Sequence, residues 1–266
     1  MAVKPLKIDS LDLDLGNPRI VRATDQRDAM QKILKEQGAK LVNLAESIAA
    51  KGVSPMDRFL VIRSDKASKF IVLEGNRRVL AMKLLKSAPL VNDLEMSEAF
   101  RKRLLAAGAT FKSASVEPLD CFEVADPAEG VEWIIRRHTG ENGGRGIVDW
   151  SGLAAARFRR RDPGLQALDF VLEHGDLGDE LKEQIEAKFP ISTLERLLAT
   201  PTVRAAIGFD VKDNKLETEL PADEALKPLK RLVIDLATDV INVTRVNRRR
   251  SRKTTSIGSN RLTVLT

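Results

Sequence analysis

The sequence predicts an α+β protein, a small mixed sheet followed by an all-helical domain. Three observations predict it. Short apolar runs rich in β-branched and aromatic residues occur only in the first half, at 59–63, 70–73 and 116–124. The stretch 69–86, KFIVLEGNRRVLAMKLLK, reads as strand, tight turn and helix, with Gly75 at the turn. From Trp150 onward, nearly every apolar pattern repeats at helical spacing.

Taken in order, residues 6–15 alternate apolar and polar and suggest one strand and its exit, and Gly16-Asn17-Pro18-Arg19 is a turn. Helices are expected over 25–37 and 39–51, the second closed by Gly52. A strand at 59–63 and a hairpin turn at 64–68 lead into the 69–86 stretch, whose helix Pro89 ends. A basic helix over 97–107 places Arg101, Lys102 and Arg103 toward solvent, and a strand at 116–124 and a helix at 126–138 follow. The polar, glycine-rich run 139–146 has no packing reason to stand between helices and is a functional candidate. Helices are then expected over 151–161, 165–174, 177–189 and 192–199, the last opened by a Ser192/Glu195 capping box. A helix, brief turn and short helix at 177–199 have the shape of a helix-turn-helix presenting Thr193, Glu195 and Arg196. Residues 208–220 are irregular with a short strand pair, and 221–246 form one amphipathic helix that closes the domain or pairs with a second copy.

The 266 residues are 43% hydrophobic and 31% charged, enough for a sizeable core. Aromatics are only 4%, which argues against extensive base stacking on nucleic acid. No apolar run reaches membrane-spanning length, no secretory leader is seen, and the lone Cys121 reads as a core residue. A cytoplasmic location without membrane contact is expected. The net charge of +6 favours polyanionic partners. Arg157, Arg159, Arg160 and Arg161 form one basic cluster, and Arg248, Arg249 and Arg250 lie in a second from 245 to 261, with no acid after Asp239.

On chemistry alone, Glu74-Gly75-Asn76-Arg77-Arg78 is an anion site. A helix begins there with free backbone N–H groups, two guanidinium forks and an acidic neighbour. The same residues also suit a solvated or surface-paired helix start, and both readings stay open on the residues alone.

The order of four motifs resembles the ParB/sulfiredoxin superfamily, in particular the amino-terminal domain and helical middle of ParB-type proteins. Asn17-Pro18-Arg19 follows the first strand. Residues 44–55, LAESIAAKGVSP, are similar to the family's helix-and-loop signature ending in Gly52 and Pro55. Residues 75–81, GNRRVLA, look like its Gly-Glu-Arg-Arg box, and 141–145, ENGGR, look like its Glu-Asn-x-Gln-Arg motif. The resemblance implies a nucleotide-binding domain over 1–140, a helical domain over 141–210 containing the helix-turn-helix, and a terminal helix with a basic tail over 211–266.

It further implies that Gly52, Pro55, Gly75, Asn76, Arg77, Arg78 and Arg145 hold CTP or ATP. Glu141 and Asn142 would bind Mg²⁺, and Glu141 and Glu74 would be the catalytic carboxylates of an NTPase. DNA would meet Arg157, Arg159, Arg160, Arg161, Thr193, Arg196, Arg248, Arg249 and Arg250, in a protein able to form a homodimer. Asn76 and Leu80 stand where the family carries Glu and Arg, and Gly144 where it carries Gln. The expected function is a DNA-associated, nucleoside-triphosphate-binding protein of partition, regulation or defence. The alternatives are a nuclease or small-molecule kinase on the same fold, or a non-catalytic scaffold with a degenerate pocket.

Overall fold

A computed structural model of the chain describes residues 2–159 and 162–241. It contains two compact units, the first ending at Val148 and the second beginning at Asp149.

The first unit runs β1 (Ala2–Leu6), β2 (Leu11–Leu13), α1 (Gln26–Gln37), α2 (Ala39–Lys51), β3 (Phe59–Arg63) and β4 (Phe70–Glu74). It continues with α3 (Asn76–Lys86), α4 (Ala88–Asp93), α5 (Glu98–Thr110), β5 (Leu119–Val124) and α6 (Pro127–His138). The five strands form one sheet in the order β1-β5-β3-β4-β2. The pairs β1/β5 and β3/β4 are antiparallel, whereas β3/β5 and β2/β4 are parallel, so the sheet is mixed as expected.

Side-chain alternation sets the buried face. Val61 and Val72 lie opposite each other in the β3/β4 ladder, and both are fully buried. They join Leu41 of α2, Leu80 and Leu84 of α3, and Leu104 of α5 in the core. Removing a side chain such as Leu80 should cost about 2–5 kcal/mol by the usual large-to-small penalty. On β3 and β4, α6 seats through Gly130, where a Cβ would stand 2.7 Å from Leu60 Cδ2.

Several local expectations change. The single strand over 6–15 is two strands separated by a 3-10 turn at Ile8–Ser10, which moves β1 and β2 to opposite edges of the sheet. The helix after Gly75 stops at Lys86, before Pro89. Ser87 caps a new short helix by accepting from the Leu90 N–H, and Pro89 sits in its first turn. Arg101 and Arg103 are not free solvent groups. Arg101 donates to the carbonyls of Val91 and Leu94, and Arg103 to Glu46 and Asn43. The last strand starts at Leu119 rather than 116.

The second unit holds α7 (Gly152–Arg159), α8 (Pro163–His174), α9 (Asp179–Lys188), α10 (Ile191–Leu198) and α11 (Pro201–Ile207). A hairpin of β6 (Asp210–Lys212) and β7 (Lys215–Glu217) precedes α12 (Ala222–Ala237). Its core gathers Leu168 and Val171 of α8, Leu194 of α10, and Leu229 and Val233 of α12. The expected boundary at 210/211 therefore falls inside a unit, because the apolar stripe of α12 closes this core. The boundary at 140/141 moves to 148/149, because the 141–146 loop bonds back to α6. The last helix ends at Ala237, and residues 242–266 lie outside those described.

The helix-turn-helix expectation changes most. In α10, Ile191, Thr193, Leu194 and Leu198 are buried, and the helix packs on α8 and α7. Ser192 is not its cap: the helix begins one residue earlier, after Pro190, and no side chain caps it. Glu195 turns instead to Arg159.

Candidate functional site

The first turn of α3 is built by its sequence to leave donors uncapped. Gly75 sits at φ 105°, in the left-handed region, and a Cβ there would meet Phe59 Cδ1 at 2.6 Å. No side chain caps this helix start, so its first N–H groups stay available. Asn76 is buried for structure: its Nδ2 donates to the Val72 carbonyl, and its Oδ1 accepts from the Asp14 N–H. It thereby fastens the chain beyond β2 to the end of β4.

A cavity of about 140 Å³ opens at this helix start. Its wall takes Gly75, Asn76, Arg77 and Arg78 from the turn and Glu74 from the end of β4. Asn17 and Arg19 come from the loop after β2, Gln37 from the end of α1, Asp57 from the loop before β3, and Arg137 and His138 from the end of α6. Four arginines (19, 77, 78 and 137) face three carboxylates (Glu36, Asp57 and Glu74), so the wall is net cationic even with a neutral imidazole.

Arg78 is the innermost of these cations, with only 8% of its surface exposed. Its Nη2 donates to Glu74 Oε1 at 3.1 Å and to the Arg58 carbonyl at 3.2 Å, and its guanidinium lies 4.7 Å from the Phe59 ring centre. Its Nη1 is buried with no hydrogen-bond partner among the described residues. Burial draws the Arg78 pKa down, against the opposing pull of the Glu74 and Asp57 charges. Such an orphaned charged donor costs free energy unless something accepts from it.

Glu74 is held by three groups: His138 Nε2 at 2.9 Å, Arg78, and Arg137 Nε at 3.6 Å. Burial alone would raise its carboxyl pKa. The His138 hydrogen bond and the His138, Arg78 and Arg137 charges outweigh burial and lower it. Arg137 also pairs with Asp57, and Arg77 donates to Gln37 Oε1 at 3.1 Å.

The second expected half of the site is elsewhere in the unit. Glu141, Asn142 and Arg145 do not line the cavity, nor do Gly52 and Pro55. Gly52 ends α2 at φ 80°. Asn142, at φ 47°, directs its Nδ2 to the Ile135 and Gly140 carbonyls and to Thr139 Oγ1, closing the end of α6. Arg145 donates to the Asn142 carbonyl, and Glu141 is exposed. The glycines thus have a backbone reason: at Gly146 a Cβ would lie 2.0 Å from the Gly140 carbonyl oxygen. These bonds engage Nδ2, while Asn142 Oδ1 accepts from Thr139 Oγ1 at 3.4 Å, and no cluster of three His, Cys, Asp or Glu side chains that could hold a metal exists among the described residues.

The polar cavity residues left off the expected site are Asn17, Arg19, Glu36, Gln37, Asp57, Arg137 and His138. Of these, Asn17 and Arg19, in the Asn-Pro-Arg turn, and His138, in the last turn before the glycine loop, carried a local signal. Of the expected DNA contacts, Arg157 pairs with Glu186, Arg159 with Asp162 and Glu195, and Thr193 is buried. Arg196 is exposed, with its Nε on the Ser192 carbonyl. Arg160, Arg161, Arg248, Arg249 and Arg250 lie outside the described residues.

Fold and site together define an α+β protein with a cation-lined cavity at an uncapped helix start. No family model and no curated protein matches the chain. Among solved structures it is similar to the C-terminally truncated chromosome-partitioning protein ParB of Caulobacter crescentus, complexed with CTP-γ-S. The two are 18% identical with a TM-score of 0.33, over 91% of this chain and 100% of that one. A likeness at that level says nothing of what this chain binds. No helix among the described residues is long and apolar enough to cross a membrane.

Proposed function

We propose that the first unit binds a nucleoside triphosphate through its phosphates, seated at the start of α3, in a ParB-like, DNA-associated protein. The observation that carries this reading is Arg78: nine-tenths buried, with Nη1 unpartnered, beside an uncapped helix N-terminus. Phosphate oxygens are acceptors of the charge and geometry that these donors lack. Arg77 and Arg19 stand at the wall to complete the neutralisation.

DNA association is supported by the net charge of +6 and the acid-free basic run from 245 to 261, more than by the α10 face. Mg²⁺ enters here with the phosphates rather than through Glu141 and Asn142, since that ion often keeps water and substrate oxygens as most of its ligands.

Calorimetry of the full chain with ATP, CTP, GTP and UTP, each with Mg²⁺, tests the reading. Binding by at least one, lost in Arg77→Ala, supports it; no binding by any overturns it and leaves the scaffold reading. A second reading, a phosphotransferase or nuclease, is favoured by the Glu74–His138 contact inside the cavity, which would make Glu74 the base. Multiple-turnover phosphate release or strand cleavage that disappears in Glu74→Gln would establish it.

A further inference from the structure

Beside the cationic cavity lies a second, larger space of about 390 Å³, and Glu74 and Arg137 belong to the walls of both. The second space has a different chemistry. Phe122 of β5, Trp133 of α6 and Met56 give it an apolar lining, and Arg58 lies 5.7 Å from the Phe122 ring centre. Trp133 is 48% exposed even with the Arg136 guanidinium 4.9 Å from its ring centre, so the indole still has surface to offer a ligand. The sequence accounts for its position: α6 approaches the sheet closely at Gly130, which lets Trp133 reach the rim one turn later.

The sizes of the two spaces are complementary. Small-molecule sites usually enclose about 300–1,000 Å³. The cationic cavity, at about 140 Å³, is too small for a whole nucleotide, and the adjoining cleft alone reaches that range. We infer that the apolar cleft is the seat of the nucleobase, stacked on Trp133, of the ligand whose phosphates occupy the cationic cavity. The inference rests on the phosphate reading above. Arg137 and Glu74 then stand between the two halves of the ligand, where a ribose with its hydroxyls would lie. Stacking on an aromatic plane is tolerant of base identity, so discrimination among bases should be weak.

The test uses the full chain and three kinds of probe: inorganic tripolyphosphate, the four nucleoside triphosphates, and the same triphosphates with Trp133→Ala and Trp133→Phe. Tripolyphosphate reports the cavity alone. Nucleoside triphosphates should bind the native chain at least about tenfold more tightly than tripolyphosphate, from the stacking contribution. Trp133→Ala should remove that advantage and leave tripolyphosphate affinity as it was, and Trp133→Phe should keep most of it.

The chain has two tryptophans, so in Trp150→Phe the emission comes from Trp133 alone. Nucleoside triphosphates should quench it, and tripolyphosphate should not. Nucleotides that bind no more tightly than tripolyphosphate, or equally well in Trp133→Ala, overturn the cleft and leave the cavity standing. Nucleotides that bind and quench Trp133, with no tripolyphosphate binding, support the cleft and remove the phosphate seat. No binding by any probe overturns both.

Discussion

His138 Nε2 lies 2.9 Å from Glu74 Oε2, while its Nδ1 faces Arg19 Nη2 at 3.4 Å. A guanidinium can only donate, so in the neutral ring Nδ1 accepts from Arg19 and Nε2 carries the proton donated to Glu74. The two contacts hold the ring between a cation and a carboxylate. They also tie three separate parts of the first unit to one point: the loop after β2, the end of β4 and the end of α6. Glu74 is thus an internal anion among the cavity's cations, and an incoming phosphate must share Arg78 with it.

This arrangement has a defined pH dependence. The Glu74 carboxyl titrates below its ordinary value in the folded chain, because His138, Arg78 and Arg137 outweigh its burial. Its contribution to stability is therefore fully present above the unfolded-state value near 4.5, and is lost as pH falls through the lower folded value. Glu74→Gln should destabilise the chain by about 1–3 kcal/mol at neutral pH, since it leaves Arg78 buried with less compensation. Urea melts of both proteins should converge as the solution is acidified. A constant difference from neutral to acid would sink the idea.

Gly75 should tolerate no side chain. Alanine there combines a positive φ with a Cβ 2.6 Å from Phe59, whose ring is itself packed under Arg78. Gly75→Ala should lower stability by about 1–3 kcal/mol through strain and displacement of that ring. Triphosphate affinity should fall with it, because the uncapped turn and Arg78 both move. Calorimetry at a temperature where the variant remains folded separates the two effects.

The 69–86 stretch was legible because local signals and tertiary outcome agree there. An apolar β-rich run, a glycine and a helical repeat yield β4, Gly75 and α3 with the expected bounds. The same holds for α2 and its closing Gly52. The opening segment was not legible, because alternation over 6–15 cannot reveal a 3-10 turn that sends its two halves to different sheet edges. In α10, the Ser-x-x-Glu spacing suggested a cap, but burial of Ile191 pulled the helix start back one residue and Arg159 claimed Glu195. Half of the cavity was invisible for a similar reason. Asp57 and Arg137 find each other across 80 positions, and nothing in either neighbourhood announces the pair.

Asn142 and Glu141 should behave as loop residues. Asn142→Ala removes an amide that serves the carbonyls at the end of α6, at a cost of about 1 kcal/mol. Triphosphate affinity should stay within twofold of the native value in both Asn142→Ala and Glu141→Gln, measured with Mg²⁺ present. Loss of binding in either would return these residues to the site.

The second unit carries a titration of the opposite sign. Arg159 Nη2 bonds both Asp162, at 3.1 Å, and Glu195, at 3.0 Å. Glu195 also hydrogen-bonds Asp162. That bond, with burial and the Asp162 charge, pushes the Glu195 carboxyl up to about 7. Asp162 keeps the charge: burial works against it, but Glu195, Arg159 and the Gly164 and Leu165 N–H groups together hold its pKa down. Between the unfolded Glu195 value of 4.5 and its folded value near 7, the native chain binds the extra proton. Stability from this group is therefore complete below 4.5 and declines as pH rises through about 7. With 29% of the Glu195 side chain exposed, screening reduces the effect, and a decline of about 1–2 kcal/mol from weakly acidic to weakly basic pH is expected. Glu195→Gln holds the neutral form at every pH and should flatten that slope, making the variant the more stable protein on the basic side. Denaturant melts at three pH values measure it; equal slopes in variant and native chain would mean that the two carboxyls do not share a proton.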